Sequence, residues 1–179
     1  YEALHTIKSR NIDSAQNFTF TICHFESGSV MNVIPDSAFM QGTIRCYDQA
    51  TLDTTCERIR TITESTAAAM ECKCEVDLND YYPAVVNPVK ETAHVKRLAT
   101  SHFGPQHVSE NELPISASED FSYYLQERPG CFWTLGTLKP GKTPKTLHTS
   151  DYAFNDDMIA TAGWFWIKLV EDRLQVSIM

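Results

Sequence analysis

The sequence predicts a chain of mixed class, with an α+β layer up to about residue 84 and part of an α/β layer from residue 85 to residue 179. Residues 17–25, NFTFTICHF, alternate between two faces, and a period of two over nine residues indicates a β-strand. From position 52 onward one stripe recurs at 52, 56, 59, 62, 66 and 70, as in a long amphipathic helix. From about residue 85 the pattern of apolar residues changes, and predicted helices lie on either side of one continuous apolar run. The sequence therefore predicts two domains, 1–84 and 85–179.

The first domain is predicted to contain a helix, two strands, a second helix and a further strand. After the opening helix and the NFTFTICHF strand, ESGS marks a turn, and a second extended stretch runs to about Pro35. AFMQGTIRCY alternates again, and Asp48 is the predicted N-cap of the long helix. KCEVDL returns to a period of two, with Cys74, Val76 and Leu78 on its apolar side. This order predicts a sheet with two helices on one face, in which one more leading strand would complete a split βαβ arrangement.

The second domain is predicted to hold three helices and a buried strand. VKETAHVKRLATSHF is a helix followed by Gly104, and SEDFSYYLQERPG is a short helix closed by Pro-Gly. CFWTLGTL has the length and composition of a strand buried on both faces. Asn155 is the predicted cap of a last helix that begins with two Asp residues. Its predicted buried face consists of Met158, Ala162, Phe165, Trp166 and Leu169.

Composition excludes several classes of protein. The 179 residues are 42% hydrophobic and 21% charged, which is typical of a globular chain. A net charge of −8 argues against binding of nucleic acid, which requires clustered Lys and Arg. No apolar run approaches the ~20 residues that span a bilayer. The chain opens without Met, inside a helical pattern, and we expect it to be a piece of a longer protein.

The six cysteines predict buried free thiols. No CxxC pair occurs, and Cys72-Lys-Cys74 is predicted to be two small residues on one side of a strand, although a soft-metal pair is the alternative. Free thiols favour a reducing compartment, such as the cytoplasm or an organellar matrix.

Two loops carry candidate site residues, and neither is specific by itself. His148 lies between the predicted buried strand and the last helix, where α/β sheets bind ligands. It is a candidate metal ligand or general base, although a His in a polar loop is more often an ordinary surface residue. Glu119, in Ser118-Glu119-Asp120, is a second candidate, but acidic residues are also normal in the first turn of a helix.

A third candidate is the pair Asn32 and Arg45, at the two ends of NVIPDSAFMQGTIR. The planar fork of Arg matches a carboxylate, and Asn adds another donor. A surface Arg on a hairpin is the alternative. Ser118, His148 and Asp151 supply the residue types of a catalytic triad, but the sequence contains no nucleophile elbow and no Gly-rich phosphate loop.

Three motifs in order resemble the carboxyl-terminal half of the M20 metallopeptidase family: SGSVMNVIPDSAFMQGTIRCYD, SASEDFSYYLQERPGCFWTLGT and LHTSDYAFNDD. The resemblance covers about residues 3 to 173 and is closest to the amidohydrolase branch, which hydrolyses N-acyl amino acids, hippurate and auxin conjugates. It implies that residues 1–84 form most of a ferredoxin-like βαββαβ lid, or dimerisation, domain without its first strand. Residues 85–179 are then the last part of a zinc-peptidase-like α/β catalytic domain.

The resemblance also implies roles for the candidate residues. His148 matches the last metal-ligating His of the family, with Zn or Mn the expected divalent metal, and LHTS here replaces the family's LHSP. Asn32 and Arg45 match lid residues that hold the substrate carboxylate, in some members in the neighbouring subunit's active site. The thirteen-residue gap between them is expected to span a turn and bring both groups to one site. Glu119 matches the Glu of the SEDF segment, with an indirect role beside the metal pocket.

The family's other metal ligands, its catalytic Glu and its oxyanion-stabilising His have no match here and are expected upstream of this chain. We therefore expect no catalytic residue in the chain and no activity from it alone. The resemblance implies a metal-dependent amidohydrolase parent that acts on small N-acyl amino acids and dimerises through the lid. The alternative is a non-catalytic module derived from the family, within a larger assembly. The acyl group, the amino acid and the metal stay open, as does the choice between a fragment and a separate subunit.

Overall fold

In the computed structural model, one β-hairpin lies between the first helix and the helices that follow. The structure describes residues 1–79, 82–111, 113–139, 141–145 and 147–178. A single 3-10 turn, Pro105–His107, follows the third helix in this described part. No helix in these ranges is both long enough and apolar enough to cross a membrane. The helices and strands are α1 (Glu2–Arg10), β1 (Thr19–Ser27), β2 (Ala38–Arg45), α2 (Gln49–Ala69), α3 (Val89–Phe103), α4 (Phe121–Glu127) and α5 (Asp157–Leu174).

The chain divides into two compact units. Residues 1–84 together with 114–119 form the first, and residues 85–113 together with 120–179 form the second. The short segment 114–119 therefore belongs with the hairpin of the first unit, although it lies far from it in sequence. The assignment of these units to a lid and to part of a catalytic domain stays a prediction.

A β-hairpin is the centre of the first unit. β1 and β2 pair antiparallel, from Thr19 opposite Arg45 to Ser27 opposite Ala38, and the register shifts between Ile22 and His24. Gly42 lies opposite Ile22, next to this irregularity. A Cβ atom on Gly42 would overlap the backbone carbonyl of Thr21. The close approach of the two backbones therefore requires glycine at this position.

Two helices pack against this hairpin, as the sequence predicts. Leu4 and Ile7 of α1 and Ile59 of α2 are buried together, and each such side chain contributes about 1.5–3 kcal/mol of transfer free energy. The partly buried residues around them are Ile12, Phe20, Ile22, Ile44, Ile62, Val76 and Leu78. The predicted N-cap of α2 is confirmed, since the Asp48 carboxylate accepts the Thr51 backbone N–H at 2.8 Å.

The second unit has a core of helix and aromatic side chains. Leu98 of α3 and Phe165 and Leu169 of α5 are buried together, with Trp133 and Trp164 against them. Gly104 ends α3 with a φ of 86°, a backbone conformation that side chains disfavour, so the predicted helix end is confirmed.

One detail of the predicted last helix is wrong, and another holds in part. The N-cap position is Asp156, one residue later than predicted, but the Asn155 Oδ1 still accepts the Asp157 backbone N–H at 3.3 Å while its amide donates to the Thr137 carbonyl at 3.0 Å. Trp166 was expected on the buried face but is 55% exposed, and Trp164 packs on the core in its place. The apolar face of this helix is wider than the core surface that it covers, so the sequence pattern does not determine which Trp is buried.

The predicted strand over CFWTLGTL is wrong, since residues 131–138 have no strand assignment. The expectation of burial on both faces is wrong too, because Trp133, Leu135 and Thr137 are half-buried whereas the residues between them are exposed. A strand needs a hydrogen-bonded neighbour. The described residues offer a side chain instead: Asn87 donates to the Phe132 carbonyl at 2.7 Å and accepts its N–H at 2.8 Å.

Two other segments that were predicted to be extended also have no strand assignment. KCEVDL, residues 73–78, has no strand assignment, although Val76 and Leu78 do face the core and the Arg60 guanidinium donates to the Val76 carbonyl at 3.3 Å. Cys74 is exposed and does not share that side. The stretch ending near Pro35 is a turn-containing loop between β1 and β2.

The two glycines Gly42 and Gly163 predict opposite effects of one substitution. Gly42→Ala is expected to destabilise the protein by about 1–3 kcal/mol because the added methyl overlaps the facing backbone. Gly163→Ala, within α5, meets nothing within 4 Å and is expected to stabilise by about 1 kcal/mol, the helix propensity difference. Urea unfolding of both variants measures this, and equal midpoints for the two would contradict the described strand approach.

Candidate functional site

Arg45 lies at the end of β2, where the ladder and the following helix fix its backbone. It pairs with Thr19, and two residues later Tyr47 precedes the N-cap of α2. The Arg45 Nη1 donates to the Ser116 carbonyl at 3.1 Å and to the Ser118 hydroxyl at 3.3 Å. The Tyr47 hydroxyl lies 3.1 Å from the Ser116 Oγ. Residues 45, 47, 116 and 118 thus form one exposed to half-buried cluster within the first unit, which we call the Arg45 cluster.

The Arg45 guanidinium keeps one edge free. Nη1 carries two N–H bonds, and two acceptors engage it. Within the described part of the chain, Nε and Nη2 have no hydrogen-bond partner, and the side chain is exposed. The Nε and Nη2 donors are parallel, and this is the geometry that binds both oxygens of one carboxylate. The cluster can therefore bind an anion without giving up its internal hydrogen bonds.

Asn32 is at the other end of the hairpin, so the expectation that a turn brings it to Arg45 is wrong within a single chain. It lies exposed in the loop that joins Ser27 to Ala38, whereas Arg45 ends the ladder at Thr19. The intervening β2 strand has eight residues and is about 25 Å long at 3.4 Å per residue. The reason is that Asn32 lies in the hairpin loop before β2, whereas Arg45 is the last residue of β2, so the extended strand separates them.

The loop around Asn32 exposes apolar side chains. Met31 and Ile34 are almost completely exposed, and Val30 and Val33 are more than half exposed. Consecutive exposed apolar residues are unusual on a surface that meets only water. The hairpin loop is therefore a candidate contact surface.

His148 occupies a turn ahead of α5 in the second unit. It is exposed and has a φ of 69°, in the left-handed region that non-glycine residues seldom adopt. Lys145 and Asp151 form an ion pair on either side of it, and the Tyr152 N–H donates to the Thr149 carbonyl at 3.2 Å. Hydrogen bonds from Lys145 and then Thr149 hold the pKa of Asp151 below its ordinary value. Local bonds thus stabilise the turn that carries the exposed His148 imidazole.

The residues that the structure describes do not by themselves make a metal site. Among them there is no group of three or more His, Cys, Asp or Glu side chains that could hold an ion. A tetrahedral zinc site takes three or four protein ligands, and the sequence predicts one of them in this chain, the imidazole of His148. Glu119 is half-buried and belongs to the first unit, whereas His148 belongs to the second. Any metal therefore needs ligands beyond those that the described residues group together.

The cysteines are all free, as predicted, but only part of the burial prediction holds. Cys23, Cys72 and Cys74 are exposed, which corrects the expectation of buried thiols at these positions. Cys131 is half-buried, and that burial raises the pKa of its thiol, with a smaller rise from Glu91 and a lowering hydrogen bond from Thr92.

Sequence reasoning missed Tyr47 and Ser116. Tyr47 follows Arg45 by two residues, so in an extended segment the two side chains lie on the same face, and this is the one local indication that they act together. Ser116 lies 71 residues beyond Arg45, and no spacing in the sequence indicates that contact.

Fold and sequence together place the chain in a known family. Residues 2–172 match the model of the peptidase family M20/M25/M40, and the chain belongs to this family. It shares 29% identity with the hippurate hydrolase of Campylobacter jejuni, over 93% of this chain and 43% of that protein. It shares 35% with thermostable carboxypeptidase 2 of Saccharolobus solfataricus, over 88% of this chain and 39% of that protein.

A solved structure agrees with these matches. The Bacillus subtilis YXEP protein, a dinuclear metal-binding peptidase of the M20 family, superposes with a TM-score of 0.73 at 26% identity, over 98% of this chain and 46% of that one. The chain thus spans less than half the length of the relatives that it matches.

The Lys145–Asp151 pair predicts a pH-dependent turn. Because the pKa of Asp151 is lowered in the folded protein, the pair's contribution to stability is present above the ordinary Asp pKa of 3.8 and is lost as pH falls through the lower folded value. Lys145→Gln is expected to return the carboxyl pKa toward its ordinary value, as followed by carboxyl carbon NMR. Lys142→Gln is the control, and an equal shift in both variants would contradict the pairing.

Proposed function

We propose that the protein acts as an amidohydrolase that cleaves the amide bond of N-acyl amino acids or similarly small substrates. Water adds across the C–N bond, so that the acyl group leaves as a carboxylic acid and the amino acid leaves with a free amine. The amino acid keeps its carboxylate throughout, and that carboxylate is the group that this chain is proposed to bind.

The observation that carries the proposal is the free Nε and Nη2 edge of Arg45. A charge-assisted bidentate contact is among the strongest that a protein offers to a carboxylate, and Lys does not reproduce its planar geometry. Nη1 already makes hydrogen bonds within the chain, so the orientation of the guanidinium is restricted before a ligand binds. The related hippurate hydrolase is named for hippurate, an acylated glycine with such a carboxylate.

His148 is proposed as the one metal ligand that this chain contributes. Membership of the family and the dinuclear metal-binding relative support a divalent metal, with Zn or Mn expected and the other ligands outside this chain. When bound, such a metal supplies an activated water for amide hydrolysis. Glu119 is proposed to support that site indirectly, and the catalytic Glu is expected outside this chain.

A second candidate function is a non-catalytic module that keeps the fold for assembly. The absence of any three-ligand group among the described residues favours it. The free edge of Arg45 favours the enzyme, because Nε and Nη2 take no part in the bonds by which Arg45 holds Ser116 and Ser118. Chelation decides between them: loss of hydrolysis on adding a chelator, and its return with Zn or Mn, belongs to the enzyme alone.

The carboxylate proposal predicts a change in KM that depends on the substrate. Arg45→Lys, in the longest polypeptide that the reading frame encodes, is expected to raise KM for N-benzoylglycine about 10- to 100-fold, which corresponds to a charged hydrogen bond. KM for the matching carboxamide, N-benzoylglycinamide, is expected to stay within about twofold. Arg10→Lys, at the exposed end of α1, is the matched control. Equal effects on the two substrates would contradict carboxylate binding by Arg45.

We further propose that Asn32 works in the active site of a second copy of the chain, in a dimer formed by the lid. Its place at the far end of the hairpin from Arg45 supports an action between copies. The exposed Met31 and Ile34 beside it supply apolar surface for such a contact.

Mixing two inactive variants tests this arrangement. In a two-fold dimer of Asn32→Ala with Arg45→Ala, one of the two sites receives an intact Asn32 and an intact Arg45. Random re-association of equal amounts is therefore expected to restore about one quarter of wild-type activity. If both residues serve the same chain, no site is intact and no activity returns. Mixing Asn32→Ala with itself after the same treatment is the control.

A further inference from the structure

The Arg45 cluster contains more bonds than carboxylate binding requires. Arg45 is held by the backbone of Ser116 and the hydroxyl of Ser118, and Ser116 is in turn held by the hydroxyl of Tyr47. Tyr47 lies two residues after Arg45, so both ends of this chain of contacts start from the same short segment. The residues 114–119 therefore close a ring of hydrogen bonds around one side of the guanidinium.

This ring determines which edge of Arg45 faces a ligand. An unrestrained guanidinium can bind a carboxylate end-on, through Nη1 and Nη2, or side-on, through Nε and Nη2. Acceptors from Ser116 and Ser118 engage Nη1 and remove the end-on mode. They also restrict rotation of a long side chain, whose ordering otherwise opposes binding of a ligand.

We propose that Tyr47 and Ser118 are positioning residues for Arg45, which restrict the guanidinium to side-on recognition of a carboxylate. Tyr47 acts through Ser116, by keeping its carbonyl beside Nη1, and Ser118 acts directly through its hydroxyl. This inference rests on the proposed function of Arg45, and it adds two residues and one segment, 114–119, to that site.

Kinetics of the longest encoded polypeptide give the first test. Tyr47→Phe and Ser118→Ala each remove one hydroxyl and are expected to raise KM for N-benzoylglycine about 3- to 10-fold, as expected for one hydrogen bond near a charge. Since neither residue touches the scissile bond in this proposal, kcat is expected to change less than twofold, and KM for N-benzoylglycinamide is expected to stay unchanged.

A matched control lies in the same hairpin. The Ser27 hydroxyl donates to the Ser37 carbonyl at 3.1 Å, at the opposite end of the ladder from Arg45. Ser27→Ala therefore removes one hydroxyl-to-carbonyl bond of the same type without touching the cluster. It is expected to leave both KM values at wild-type levels.

A spectroscopic test separates the cluster from the reaction. In protein labelled with 15N-arginine and free of ligand, rotation about the Cζ–Nη bonds of Arg45 is expected to be slow, because Nη1 is held by two acceptors. Rotation is expected to become several-fold faster in Ser118→Ala and in Tyr47→Phe, and to be unchanged in Ser27→Ala. Arg45→Lys assigns the resonance by its disappearance.

The two tests fail in different ways. Unchanged rotation in both cluster variants overturns the positioning proposal, even if Arg45 binds carboxylates. Faster rotation with an unchanged KM for N-benzoylglycine also overturns it, because the restraint would then not serve recognition. If wild-type protein does not prefer N-benzoylglycine over its carboxamide, the proposed function of Arg45 fails and the positioning role falls with it, whatever the rotation rates.

Discussion

The antiparallel ladder between β1 and β2 is the constraint on which the first unit depends. Its register brings Gly42 against the Thr21 backbone, leaves one irregularity between Ile22 and His24, and ends with Arg45 opposite Thr19. A slip of one residue would turn Ile22 and Ile44 away from the helices and expose the core. The same ladder sends the Asn32 loop to the other end of the hairpin. Core packing and the position of Arg45 are thus consequences of one register.

In the second unit, side-chain amides make hydrogen bonds to the backbone of an extended segment that a neighbouring strand would otherwise make. Asn87 makes two hydrogen bonds to the backbone of Phe132, and Asn155 donates to the carbonyl of Thr137. A buried backbone group without a partner costs about 1–3 kcal/mol, so these contacts stabilise an extended segment that has no ladder among the described residues. They also hold Trp133 against the aromatic core formed with Phe165.

The candidate chemistry is divided between the two units. The first contains an oriented guanidinium with one free edge, and the second contains an imidazole presented by a turn with its own ion pair. Each group has local support, but neither is a complete site. Anion recognition needs only the first, whereas metal-assisted hydrolysis needs ligands that the described residues do not group together. Carboxylate binding by Arg45 is the part of the proposed function whose supporting bonds lie among the described residues.

The sequence by itself determined the elements whose signals are local. The stripe from Leu52 predicted α2, Asp48 predicted its cap, Gly104 predicted the end of α3, and period two predicted both strands of the hairpin, because helix faces, caps and alternation depend on near neighbours. The motifs likewise predicted membership of the M20 family. Only the tertiary structure decided that CFWTLGTL and KCEVDL lack a ladder, that Trp164 rather than Trp166 packs on the core, and that Ser116 holds Arg45. These outcomes depend on partners distant in sequence, and whether such a partner is present is not encoded in the segment that needs it.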